Sequence, residues 1–90
     1  PTALIGFSDP IAAGMLLAAR EAGLEVPGAV AIAGFDGVDL PWLSGERLRT
    51  VNQPRRDRGA VAAETALALA GGTSPGNQTL GVELVVGTTT

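Results

Sequence analysis

Three polar residues each stand at the end of a short strand-like run: Ser8 after the apolar Ala3-Leu4-Ile5-Gly6-Phe7, Asp36 after the apolar Ala29-Val30-Ala31-Ile32-Ala33-Gly34-Phe35, and Gln53 after the alternating Leu48-Arg49-Thr50-Val51-Asn52. A hydroxyl, a carboxylate and an amide together supply the donors and acceptors needed to hold a small polar molecule. The same residue types have simpler uses. Ser8 and Asp9 precede and join Pro10 as helix-capping residues do, Asp36 can close a turn, and the Gln53 amide can cap a helix opening at Pro54. Gly6-Phe7-Ser8-Asp9-Pro10 also begins like the elbow that presents a nucleophilic serine, but Pro10 replaces its second glycine. The chain has no His to take a serine proton and no Cys to act as a thiolate, so it is read as a non-enzyme. Asp9, Asp36 and Asp39 are the residues a magnesium cluster would use, yet carboxylates after strands more often close turns, and neither metal nor cofactor is expected. Gly34-Phe35-Asp36-Gly37 lacks the spaced glycines of a dinucleotide site, and a P-loop needs a Lys that the chain does not have.

The formal charge of −3 and the lack of Lys argue against a free-standing nucleic-acid-binding domain. Arg47, Arg49, Arg55, Arg56 and Arg58 do cluster, but Glu46 and Asp57 dilute them, and the group reads as a solvated, ion-paired rim. Hydrophobic residues make up 46% of the chain and aromatic ones 3%, so it should fold around small aliphatic side chains and closely approaching backbones. No run approaches the ~20 apolar residues of a membrane span, and no basic leader opens the chain, which reads as soluble. Pro1 leads straight into a strand-like run, as if the chain were cut from something longer.

These residues need elements to position them. The first apolar run reads as a strand buried on both faces, followed by a helix from about Pro10 to Ala22 with Ile11, Met15, Ala18, Ala19 and Ala22 as its apolar stripe and Gly23 as its stop. The second run gives another buried strand, Gly37 to Glu46 a loop with a short helical turn, and Leu48–Asn52 a third strand. Gln53-Pro54 opens a second helix reaching Ala70, Gly71-Gly72 closes it, and Leu80–Val86 forms the last strand. Strands alternating with helices over short connections imply an α/β fold with a mostly parallel sheet flanked by helices. In such sheets ligands gather beyond the carboxyl ends of the strands, where Ser8, Asp36 and Gln53 fall.

The ordered succession Phe7-Ser8-Asp9, Ala12-Ala13-Gly14, Ala22-Gly23-Leu24, Val26-Pro27, Val30, Gly34-Phe35-Asp36, Leu48, Thr50-Val51, Gln53-Pro54, Gly59 and Glu83-Leu84-Val85-Val86 resembles the C-terminal part of LacI/GalR-family transcriptional regulators. The resemblance implies an incomplete C-terminal lobe of a periplasmic-binding-protein type I-like fold over residues 1–90, with the DNA-binding headpiece and the N-terminal lobe outside the chain. It further implies a cytoplasmic homodimeric repressor, without membrane contact, that senses a sugar or related small polar effector between two lobes and couples it to operator DNA. The alternative is a lobe of a periplasmic sugar-binding protein of an ABC transporter, and Gly37 leans that way, whereas Val26-Pro27 and Thr50-Val51-Asn52-Gln53-Pro54 lean toward repressors. By position, Asp36 matches the effector-binding acidic residue, Gln53 a frequent ligand contact, Ser8 a usual Asn, and Arg55 a site where some sugar binders carry an aromatic ring. Arg55 would suit an anionic or phosphorylated effector. Leu40, Trp42 and Leu43 fall where family members pair, and are expected to contact a second copy or a neighbouring lobe; Trp42 could equally stack on a sugar ring.

Overall fold

The computed structural model describes residues 1–43 and 45–90, which divide into two compact units: Pro1–Asn52 with Glu83–Thr90, and Gln53–Val82. In the first unit, strand β1 (Ala3–Ile5) pairs in parallel with β2 (Ala31–Ala33), with Leu4 opposite Ile32. Strand β3 (Thr50–Asn52) pairs antiparallel with β4 (Glu83–Val85), Asn52 facing Glu83. Parallel bridges Ala33↔Arg49 and Asp36↔Asn52 join the two pairs, and the Gly34 and Asp36 N–H groups donate to Arg49 O and Val51 O at 2.8 and 3.1 Å. The result is the expected α/β arrangement, parallel except for its last strand.

Midway along β2, Ile32 is bound by the last residues of the chain. The Ile32 N–H donates to Thr89 O at 2.8 Å, the Thr89 hydroxyl donates to Ile32 O at 2.6 Å, and the Arg49 N–H donates to that hydroxyl at 3.0 Å. Thr89 thus bridges β2 and the residue before β3, with its carbonyl and hydroxyl engaged and 1% of its surface exposed.

Helix α1 (Asp9–Glu21) packs on β2 through Ala12, Ala13, Leu16 and Ala19, with Met15 half-buried, joined in the core by Val30, Ile32, Leu43 and Leu48. This departs from the expected stripe: Ile11, Ala18 and Ala22 are exposed. The cause is close approach. A Cβ on Gly6 would lie 2.7 Å from Ala12 N, and one on Gly34 would lie 3.1 Å from Ala12 Cβ, so only small residues fit between helix and strand ends and the bulkier Ile11 turns outward. The helix ends as Gly23 suggested, with the Leu24 N–H on Ala19 O and the Gly23 N–H on Arg20 O. The first strand also differs from expectation. Ala3, Leu4 and Ile5 are exposed and Phe7 is 90% exposed, because α1 covers β2 and neither face of β1 is closed over among the described residues.

In the second unit, helix α2 (Arg55–Ala70) begins after Pro54, which stands at its N-cap, and no residue of it is buried. Its Ala-rich sequence supplies helix propensity rather than a core-facing stripe. It ends with the Thr73 N–H on Ala68 O and the Gly72 N–H on Leu69 O. No helix among the described residues is long and apolar enough to cross a membrane.

Candidate functional site

The carboxyl ends of β1 and β2 lie side by side, fixed by the Gly6 N–H on Ala33 O at 2.8 Å and the Asp9 N–H on Phe35 O at 2.8 Å. Ser8 and Asp36 leave the sheet at this edge, both half-buried. Ser8 takes the N-cap position of α1, but its side chain makes no capping hydrogen bond, so the expected capping role falls away.

Asp9 does not cap either. Its carboxylate is 99% withdrawn from solvent, at 1% exposure, and turns back under the sheet edge. Oδ1 accepts the Thr50 hydroxyl at 2.6 Å and Oδ2 accepts the Val38 N–H at 2.7 Å. The Thr50 oxygen in turn accepts the Gly37 N–H at 3.2 Å. One buried carboxylate and one hydroxyl therefore bind both amides that follow Asp36, and a charged acceptor makes these bonds stronger than neutral ones. Gly34 makes room for this, since a Cβ there would fall 2.3 Å from Asp9 Oδ1.

Asp36 itself has φ of 110°, the only non-glycine residue with positive φ among those described. A side chain in that region costs about 1–3 kcal/mol and persists where its surroundings over-determine it. Here the Asp36 N–H is tied to Val51 O, and the next two amides are tied to Thr50 and Asp9. Gly37 follows with φ of 72° and passes so near Asn52 that a Cβ would lie 2.7 Å from its Cα. An acidic side chain held in a strained conformation at the carboxyl edge of a parallel sheet is the arrangement expected of a binding residue.

Behind this turn lies an open cavity of about 290 Å³, bordered by Asp9, Val38, Asp39, Leu43, Glu46 and Asn52 among others. Glu46, which lines it, pairs with Arg20 of α1. In the second unit, the Gln53 carbonyl oxygen Oε1 accepts a hydrogen bond from Arg58, and the Arg55 N–H donates to Gln53 O at 2.8 Å. Gln53 is half-buried and Arg55 exposed, and both take part in further interactions. The apolar trio of the 37–46 loop separates: Leu43 is buried in the core and Leu40 packs against it, whereas Trp42 is 54% exposed. The apolar surface of Leu40 and Leu43 is thus largely taken up within this unit. Among the described residues, no cluster of His, Cys, Asp or Glu has a metal-binding arrangement.

Thr50 and Asn52 were not singled out by sequence. Thr50 reads as one residue of an alternating strand, and its pairing with Asp9, distant in the chain, leaves no local signal.

A sequence model of the periplasmic binding protein-like domain matches residues 1–90, the whole chain. The chain belongs to the periplasmic binding protein-like domain family. The kinship of this periplasmic binding protein-like domain is with LacI-type regulators, as its motifs suggested. It is 39% identical over 66 residues to the HTH-type transcriptional regulator DegA of Bacillus subtilis, covering 73% of this chain and 20% of that protein. It is 37% identical over 67 residues to the ribose operon repressor of Haemophilus influenzae, covering 74% and 20%. Among solved structures, the lac repressor dimer bound to operator and the anti-inducer ONPF superposes with a TM-score of 0.89 at 33% identity, over 100% of this chain and 32% of that one. A LacI family regulator from Arthrobacter sp. FB24 in complex with lactose gives 0.79 at 33% identity, over 98% and 34%. The domain therefore spans about a fifth of the length of these curated relatives and about a third of the solved chains.

Proposed function

We propose that this chain is the C-terminal, effector-sensing lobe of a LacI-type transcriptional repressor, with Asp36 as the principal effector ligand. The observation that carries the reading is the strained Asp36 backbone at the sheet's carboxyl edge, beside Ser8, in a domain whose relatives are named as regulators of transcription. Those relatives favour a regulator over a transport protein. The Asp36 carboxylate accepts hydrogen bonds from effector hydroxyl or N–H groups, Ser8 contributes a hydroxyl, Gln53 an amide, and Arg55 a fixed positive charge suited to an anionic or phosphorylated sugar.

In the full-length protein, a second lobe completes the cleft, a helix-turn-helix headpiece carries operator binding, and two copies pair, with Trp42 at a contact. Effector binding shifts the closure of the lobes and so the affinity for DNA, a coupling of about 1–3 kcal/mol. The role is non-catalytic, needs no cofactor and is exercised in the cytoplasm, where operator DNA lies.

The test is calorimetric titration of the full-length protein with D-ribose, lactose and D-glucose 6-phosphate. Binding of at least one is expected, weakened by about 1–3 kcal/mol in Asp36→Ala through loss of charge-assisted hydrogen bonds. Unchanged affinity in that variant, or no binding of any of the three, would reject the reading. Arg55→Ala is expected to weaken D-glucose 6-phosphate more than the neutral sugars; equal effects on all three remove the anionic preference.

A further inference from the structure

Asp9 lies one residue from Ser8 and near Asp36, yet its two carboxylate oxygens are already occupied from inside the protein, by Thr50 and by the Val38 amide. At 1% exposure it has no surface to offer a ligand. Its bonds all converge on one place: the turn Gly34–Val38, at the centre of which Asp36 is held at φ 110°. The Asp9 N–H also donates to the Phe35 carbonyl and the Gly37 N–H to Thr50 Oγ1, while the Gly34 and Asp36 N–H groups are held separately by Arg49 O and Val51 O. Remove the Asp9 carboxylate or the Thr50 hydroxyl, and part-buried amides lose their acceptors while the positive φ loses part of what over-determines it.

From this geometry we infer that Asp9, acting through Thr50 and the Val38 amide, is a positioning residue for effector recognition: it holds Asp36 in its binding conformation without touching the effector. The inference rests on the reading of Asp36 as effector ligand. Thr50 is the second member of the device. Its hydroxyl donates to Asp9 and accepts from Gly37 at once, a use of both capacities that Ser retains and Val lacks.

The experiment combines two readouts on the full-length protein: hydrogen–deuterium exchange of the peptide covering Gly34–Asp39, and calorimetric titration with D-ribose, lactose and D-glucose 6-phosphate. Thr50→Val and the near-isosteric Asp9→Asn are expected to speed exchange in that peptide and to weaken sugar binding by about 10- to 100-fold, the range for losing a hydrogen bond to a charged group. Thr50→Ser should restore both. Thr89→Val is the control, because it removes a similarly buried hydroxyl from the same unit, one that bonds Ile32 and Arg49 and no group of the turn; it should lower the melting temperature while leaving exchange at Gly34–Asp39 and sugar affinity as in wild type. The inference is overturned if Thr50→Val and Asp9→Asn behave as Thr89→Val does. It is equally overturned if Asp9→Asn fails to fold and Thr50→Val, though folded, binds and exchanges as wild type. Failure of the underlying reading looks different: Asp36→Ala would then bind like wild type.

Discussion

The strained turn makes opposite demands on a residue's backbone and its side chain. Glycine adopts φ of 110° without the penalty that any Cβ incurs, whereas a carboxylate is needed to accept hydrogen bonds from a ligand. Asp36→Gly is therefore expected to be about 1 kcal/mol more stable than Asp36→Ala, measured by urea denaturation, while both lose effector affinity alike. Equal stability of the two variants would show that the turn relaxes to accommodate alanine. Gly34 is constrained by space rather than by φ. Gly34→Ala pushes a methyl group against Asp9 Oδ1, and a loss of about 2–3 kcal/mol is expected from overpacking beside a buried charge, read as a drop in melting temperature.

At the scale of elements, the two helices differ in what holds them. Leu16 is buried in the core beneath α1, whereas Leu67 of α2 is 75% exposed. Leu16→Ala in this 90-residue chain should cost about 2–5 kcal/mol and Leu67→Ala less than about 0.5, by denaturation with circular dichroism. The same contrast explains what was legible in the sequence. All six elements were readable from apolar runs and their punctuation by Pro and Gly, because those signals are local. The strands are shorter than the runs, since β1 and β2 stop where the chain turns over the sheet edge toward Ser8 and Asp36. Hydrophobicity assigns Ile11 to the buried face of α1, whereas the close approach of Gly6 and Gly34 selects Ala12 there. In the site, the positions of Ser8 and Asp36 followed from strand ends. The partnership of Asp9 with Thr50 did not, since it joins residues 41 apart in sequence.

At the scale of the molecule, the first unit is built from chain segments that meet only after long excursions. Thr89 reaches Ile32 across 57 positions, its hydroxyl donating to Ile32 O and accepting from the Arg49 N–H. Thr89→Val should cost about 1–3 kcal/mol, since it strands a buried carbonyl and amide, with the loss visible as a lower urea midpoint.

The pairing of Asn52 with Glu83 has a consequence for engineering. Everything from Gln53 to Val82 leaves and re-enters through two residues already held opposite each other in an antiparallel ladder. Topologically that stretch is a guest, and the ladder is the doorway. A tight Asn-Gly turn between Asn52 and Glu83 would make β3 and β4 a simple hairpin, and the shorter closure would favour the ladder by about 2 kcal/mol. Such a miniature should keep the Asp9–Thr50 bond, detectable as slow exchange of the Val38 amide, while surrendering Gln53 and Arg55. Residues 53–82 are thereby separable, by design, from the carboxylate turn.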